Sequence, residues 1–310
     1  MSAENPATVT SNLPPVSTGK RVFQFIQALL AYLCFAIVRL LPLDVVSGFG
    51  GWLGRTIGPR LGANRRARRN LERAFPEKTP AEIETIIRGM WDNFGRVAFE
   101  FPLLHRLRFG EPGTPNIHVE VHGYENTDQL RDDDKPGIFL SGHFANWELA
   151  GRSIILRGIP LHLIYRLPNN PMTVKLLMHR NPGGGEMIPK GARGAKRALQ
   201  LLMNGEHLGI MADQKLNDGI AIPFFGHDAM TAPALAQFAR RFDCPVVPVR
   251  VERIKGTKFM VTHYPPRYVK DTGDKQADIR AFMIEVNQML EDWARERPEQ
   301  WLWLHNRWPD

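Results

Sequence analysis

The chain has 310 residues, 43% of them hydrophobic and 23% charged, with two cysteines, a composition that excludes a disordered, collagenous or disulfide-stapled protein. A mean hydropathy of -0.27, with one stretch approaching the roughly 20 apolar residues of a span, excludes a polytopic membrane protein. The formal charge of +8 is concentrated, because Lys20 to Asn70 holds nine basic residues and the single acid Asp44 while the rest of the chain balances.

Residues 1–19, rich in Ser, Thr, Pro, Asn and Ala, are expected to be a disordered leader. From Val22 to Leu43 the chain is apolar apart from Gln24, Gln27 and Arg39, which suits a signal anchor or an interfacial helix and, on pattern alone, also a buried core helix. The arginines that follow outnumber Lys20 and Arg21 before it, so a spanning segment would leave the bulk of the protein in the cytoplasm. The basic block favours an anionic leaflet over nucleic acid, since zinc-ligand pairs, a recognition helix and ribonucleoprotein-type strands are lacking. We divide the chain into the leader, a membrane anchor with a basic interfacial segment over 20–60, and a domain over 61–310.

Apolar spacing between Arg65 and Arg106 predicts helices broken near Pro76 and Pro80. Beyond Pro112, short apolar runs alternate with helical stretches. Strands are expected at Ile117 to Val121, Gly137 to Leu140, Leu161 to Tyr165, His207 to Met211, Val246 to Val251 and Phe259 to His263, and helices near Asn146 to Leu156, Met172 to His179, Gly194 to Met203, Pro233 to Phe242 and Lys275 to Glu296. This is an α/β pattern: a largely parallel mixed sheet flanked by helices, behind an N-terminal membrane-associated helical segment. Cys34 in the apolar stretch and Cys244 before a strand build neither a disulfide framework nor a thiolate zinc site, and a reducing compartment fits the catalytic part.

The chemistry concentrates after the strand at Gly137. There His143 follows Ser141-Gly142 at a strand's carboxyl end, the edge where open α/β sheets bind ligands, and Glu148 follows in the first turn of a helix. Across that bend the carboxylate could accept from one imidazole nitrogen and leave the other basic, or Glu148 could merely complement a helix dipole. Two more strand ends offer polar groups, Arg166 after one and Asp213-Gln214-Lys215 after another, for an oxyanion or a polar head group. Phe144, Trp147, Phe224 and Phe225 line an acyl channel or pack the core. No nucleophile elbow, zinc-protease motif or phosphate loop occurs, so no cofactor or metal is called for. Three tryptophans between Trp301 and Trp308 suit a membrane interface or a packed tail.

With the apolar start, His143-Phe-Ala-Asn-Trp-Glu148, Tyr165-Arg166, Asp213-Gln-Lys215, Phe224-Phe-Gly226 and Gln300-Trp-Leu-Trp-Leu-His-Asn-Arg-Trp308 in this order, the sequence resembles the late acyltransferases of lipid A biosynthesis. Familiar members carry Asp where this chain has Lys215. The resemblance implies transfer of a fatty acyl group from acyl carrier protein to a hydroxyl of a lipid A precursor at the cytoplasmic face of the bacterial inner membrane. His143 would be the general base, Glu148 would fix its tautomer, and Arg166 would stabilise an oxyanion or bind a phosphate. The acyl thioester is then a substrate, and the anionic lipid and the acidic carrier would be drawn to Arg65, Arg66, Arg68 and Arg69. Other acceptors, a non-catalytic lipid carrier, and a hydrolase with Ser141 as nucleophile are the competing readings.

Overall fold

The computed structural model describes residues 17–165, 168, 170–177 and 184–308. Its N-terminal layer is helical: α1 (Thr18–Val38), α2 (Leu43–Ile57), α3 (Ala63–Ala74) and α4 (Pro80–Glu100). Then follow β1 (Phe109–Gly110), β2 (Val119–His122), α5 (Tyr124–Asp132), β3 (Gly137–Ser141), α6 (Glu148–Ile155), β4 (Leu161–Tyr165), α7 (Val174–Leu177), β5 (Met187–Pro189), α8 (Ala192–Met203) and β6 (His207–Met211). The chain closes with β7 (Lys215–Phe224), β8 (His227–Thr231), α9 (Ala234–Phe242), β9 (Val246–Lys255), β10 (Lys258–His263) and α10 (Lys275–Glu296).

Eight strands form one sheet in the order β1-β2-β10-β9-β3-β6-β4-β5. Neighbours run parallel except for the antiparallel β9–β10 pair, so the sheet is mixed and largely parallel, as the alternation predicts. Its middle strand β3 is buried at every position, the expectation for a parallel strand covered on both faces. Ile138 and Leu140 face a core shared with α3, α4, α8, α9 and α10, whereas Phe139 faces a second core under α5 and α6, which is the two-residue period of a strand.

Local sequence explains the helix limits. Thr79 and Glu82 close a capping box at the start of α4, with Pro80 in the first turn. Asp274 caps α10 by accepting from the amides of Gln276 and Ala277. Helices α2 and α4 cross in backbone contact: a Cβ on Gly54 would lie 2.0 Å from the Trp91 carbonyl oxygen, and one on Gly95 would lie 2.1 Å from that of Gly50. Residues 43–57 are thus packed on the domain, inside the segment assigned to the interfacial region by charge.

Helix α1 ends at Val38, earlier than the apolar run, and is not the buried core helix that the same pattern allowed. It is long and apolar enough to cross a membrane, with a mean hydropathy of 1.8 and only 17% of its apolar window buried. Val22, Phe23, Phe25, Leu29, Leu30 and Leu33 all face outward. The expected leader falls mostly outside the described residues, as do Arg166 and the end of the helix expected near His179.

Several elements escape the sequence pattern. Strands β1 and β5 are too short to show a period, and α5 is mostly polar. The β7–β8 hairpin turns through Phe225 and Gly226, both at positive φ (51° and 72°), the geometry of a type I′ turn with a bulky residue where Asn, Asp or Gly is usual.

Candidate active site

The turn carrying His143 is bolted down from below. Ala145 sits at a φ of 47°, a left-handed conformation that a non-glycine residue holds only when its surroundings insist. Its carbonyl accepts from Asn93 Nδ2 at 3.0 Å and its amide donates to the Gln300 carbonyl at 2.9 Å. Next to it, Asn146 donates to Glu100 Oε2 at 2.8 Å. Glu100 has no exposed surface and is forked by Arg253 from β9 at 2.6 and 3.0 Å, while Ser47 of α2 donates to its Oε1 at 2.6 Å. A buried ion pair of this kind is tolerated where hydrogen bonds satisfy the remaining atoms, and here they join three elements beneath the turn.

His143 then meets the end of the neighbouring strand. In the parallel β3–β6 ladder Ser141 pairs with Met211, so residues two steps beyond each, His143 and Asp213, stand side by side. His143 Nδ1 donates to Asp213 Oδ1 at 2.8 Å, and the His143 amide donates to Oδ2 at 2.9 Å. The Trp301 indole donates to the same Oδ2 at 2.9 Å. Burial opposes ionisation of Asp213, yet the electrostatic pull of His143 and these hydrogen bonds outweigh it and hold the carboxyl below its ordinary range. The imidazole therefore carries its proton on Nδ1 and turns Nε2 outward, with 16% of the side chain exposed.

This corrects the expectation for Glu148. The carboxylate fixing the His143 tautomer is Asp213, because β6 delivers it directly beside the ring, whereas Glu148 begins α6 and is buried. Glu148 Oε1 accepts from the Trp147 indole at 2.9 Å, and that indole packs edge-on against the His143 ring with centroids 5.2 Å apart. Glu148 thus reaches the histidine through Trp147. The signal for Asp213 was its place just past a strand end, like that of His143; the observed ends at Ser141 and Met211 make the two offsets equal.

The C-terminal tail closes the other side. Trp301, Trp303 and Trp308 are buried, and their indoles donate to Asp213, the Pro298 carbonyl and the Phe224 carbonyl, so they form core and not a membrane belt. Arg307, with no exposed surface, donates to Thr231 and Asn287 and lies over the Phe224 ring; burial draws its pKa down to about 10, against the pull of Asp213. The tail also places His305 with its ring centroid 5.6 Å from that of His143, a neighbour that sequence reasoning missed because nothing local marks it.

Other expected site residues divide. Gln214 joins the cluster, its Nε2 lying 3.4 Å from His143 Nε2 and 3.0 Å from His305 Nε2. Lys215 starts β7 and pairs with Thr231; Lys190, unexpected, takes the cationic place by donating to Gln214 Oε1 at 3.4 Å. Phe144, Phe224 and Phe225 are at most 4% exposed and pack on Trp293, Trp301, Trp303 and Trp308, so they fill core instead of lining a channel; Trp147 packs against the His143 ring. Gly142 is small for Phe144, whose ring would lie 2.8 Å from a Cβ there. Buried Ser141 donates to the Val249 carbonyl at 2.7 Å, which removes it as a nucleophile. On α3, Arg65 is exposed, Arg68 pairs with Glu84, and Arg66 and Arg69 donate to Leu304 and Asn306 of the tail. Among the described residues, no three His, Cys, Asp or Glu side chains gather as a metal site.

A histidine held by a buried aspartate at the carboxyl edge of a mixed α/β sheet, with the Gln214 amide beside its outward nitrogen, makes this the candidate active site of an α/β enzyme. The family model described as bacterial lipid A biosynthesis acyltransferase matches residues 16–310, and the chain belongs to that family. It is 25% identical over 276 residues to a lipid A biosynthesis acyltransferase of Haemophilus influenzae, covering 86% of this chain and 83% of that one. It is 24% identical to the lipid A biosynthesis palmitoleoyltransferase of Escherichia coli, with 86% of each covered. It is 26% identical to the lauroyltransferase of the same organism, with 96% of each covered. The protein is an acyltransferase of lipid A biosynthesis.

Proposed function

We propose that the protein transfers a fatty acyl chain from an acyl carrier protein thioester to a hydroxyl of an anionic lipid A precursor at the cytoplasmic face of the bacterial inner membrane. His143 is the general base. The observation carrying this role is the 2.8 Å bond from its Nδ1 to buried Asp213, which leaves Nε2 as the acceptor at the surface of the site.

His143 Nε2 takes the proton from the acceptor hydroxyl as its oxygen attacks the thioester carbonyl. The new carbon–oxygen bond forms, the carbonyl π pair moves onto oxygen, and ionised Asp213 supports the imidazolium. Collapse of the tetrahedral species breaks the carbon–sulfur bond, and the departing thiolate takes the proton from Nε2. The balance closes with an ester and a free thiol, no covalent enzyme intermediate being required. Arg166, which lies outside the described residues, is assigned to the oxyanion or a phosphate of the acceptor, and Lys215 to the polar head group. The acyl donor is a substrate, and no cofactor takes part in these steps.

General-base assistance contributes about 10²–10⁴-fold, so His143→Ala in a purified transfer assay is expected to lose that much turnover, and full activity would overturn the assignment. Mass spectrometry of lipid A from cells lacking and then regaining the protein should show one acyl chain lost and restored; an unaltered profile removes the acceptor assignment.

A further inference from the structure

His305 lies in a loop that α3 pins from outside. Asn70 Nδ2 donates to the Trp303 and His305 carbonyls at 2.8 and 2.6 Å, and Arg66 donates to that of Leu304 at 3.0 Å. The His305 ring faces Gln214, whose Nε2 stands 3.0 Å from His305 Nε2 and 3.4 Å from His143 Nε2. An amide nitrogen has two protons and no lone pair to accept with. It must therefore donate to both imidazoles, and its own oxygen turns to the Lys190 ammonium at 3.4 Å. This arrangement requires an unprotonated Nε2 on His305. Burial, followed by repulsion from His143 whenever that ring is protonated and from Lys190 and Arg66, with Asp213 opposing them, draws its pKa down to about 4.

We propose that His305 is a positioning residue that, on the general-base reading of His143, holds the Gln214 amide so that one N–H points at the space beside His143 Nε2. That space is where the thioester carbonyl oxygen gathers charge as the hydroxyl attacks. When the acceptor hydroxyl takes over Nε2, the Gln214 N–H released there is already aimed and donates to the oxyanion. Without the His305 acceptor the amide rotates freely, and each turnover bears the cost of orienting it. The tail thereby completes the site, with α3 as its brace.

The test compares purified full-length variants, using acyl carrier protein thioesters as donor and a lipid A precursor as acceptor. Loss of a single preorganised oxyanion donor lowers kcat by about 10²–10³-fold, the result expected for Gln214→Ala. His305→Ala should lower kcat at least 10-fold, with KM changed by no more than about twofold. His305→Gln, whose amide oxygen can occupy the place of Nε2, should recover to within about threefold of wild type, and His305→Ala should add nothing in the Gln214→Ala background. Wild-type kcat in His305→Ala, equal damage from Ala and Gln, or losses that multiply in the double variant would each overturn the proposal. Should His305→Ala fail to fold, His305→Gln alone and combined with Gln214→Ala poses the same question. An active His143→Ala would instead refute the general-base reading, whereas an inactive one beside multiplying losses refutes the role of His305 alone.

Discussion

Asp213 uses one carboxylate for three donors, the His143 ring, the His143 amide and the Trp301 indole, so it fixes both the tautomer and the turn. Asp213→Asn preserves the shape but lets an amide face Nδ1, which favours the wrong tautomer; kcat should fall about 10²–10⁴-fold, the range of general-base assistance, with the triad Asp→Asn loss of about 10⁴ at its upper end. A variant with kcat near wild type would show that the ring is oriented by something else. Glu148→Gln should lower turnover too, through the Trp147 indole that packs on the ring. Two other buried histidines should make the fold sensitive to acid. Burial draws His305 and His263 down to about 4, with the Arg157 charge adding to the effect at His263 and Asp128 opposing it. Both stay neutral in the folded chain while the unfolded chain takes up protons below about 6.5, so their contribution is complete above that pH and is lost as pH falls toward 4. Asp213, shifted down as well, keeps its full contribution above the ordinary carboxylate range and loses it only as pH falls below that range. The melting temperature should fall between pH 7 and 4.5, and less steeply in a His263→Gln variant; identical slopes would assign the acid transition elsewhere. At this scale the sequence located His143, Asp213 and Gln214 because strand ends are legible, yet it gave Asp213's place to Glu148. Proximity in sequence is visible before strand adjacency is known.

Between elements, the site depends on packing that no residue of the site reveals. Helices α2 and α4 meet through Gly50, Gly54 and Gly95 at distances that leave no room for a Cβ, and Glu100 at the end of α4 links both helices to Arg253 in β9 and to the turn at Asn146. Arg253→Met leaves Glu100 buried without its cation, an error that costs about 3–5 kcal/mol. Such a variant should melt well below wild type, and Glu100→Gln in the same chain should recover part of the loss by removing the stranded charge. A melting temperature unchanged by Arg253→Met would show that the pair does not hold the layer. The strands of the sheet other than the short β1 and β5 were readable from their apolar runs, since a strand covered on both faces leaves little choice of residue. The hairpin at Phe225-Gly226 was not, because its turn uses an aromatic residue whose amide is held by Glu291, a partner far away in the sequence.

For the whole molecule, apolar and basic surfaces lie on consecutive helices. Helix α1 turns Val22, Phe23, Phe25, Leu29, Leu30 and Leu33 outward, and α2 adds Val45, Phe49 and Trp52. A chain beginning at residue 40 should therefore stay in the supernatant when floated with anionic phospholipid vesicles, while the full chain rises with them; equal flotation would transfer the membrane contact to the remaining helices. Helix α3 separates two roles that charge counting merges. Arg66 and Arg69 hold the tail beside His305, and Arg68 is paired with Glu84, whereas Arg65 is exposed. If α3 attracts anionic substrates through its field alone, Arg65→Glu should raise the apparent KM and flatten its dependence on salt, leaving kcat within about twofold, because charge steering acts on encounter and is screened over about 10 Å at 0.1 M salt. Reversing Arg66 and Arg69 should lower kcat as well, since the tail loses its brace. Kinetics of Arg65→Glu matching wild type at both low and high salt would refute the steering role, and a fall in kcat without a change in KM would make Arg65 part of the brace.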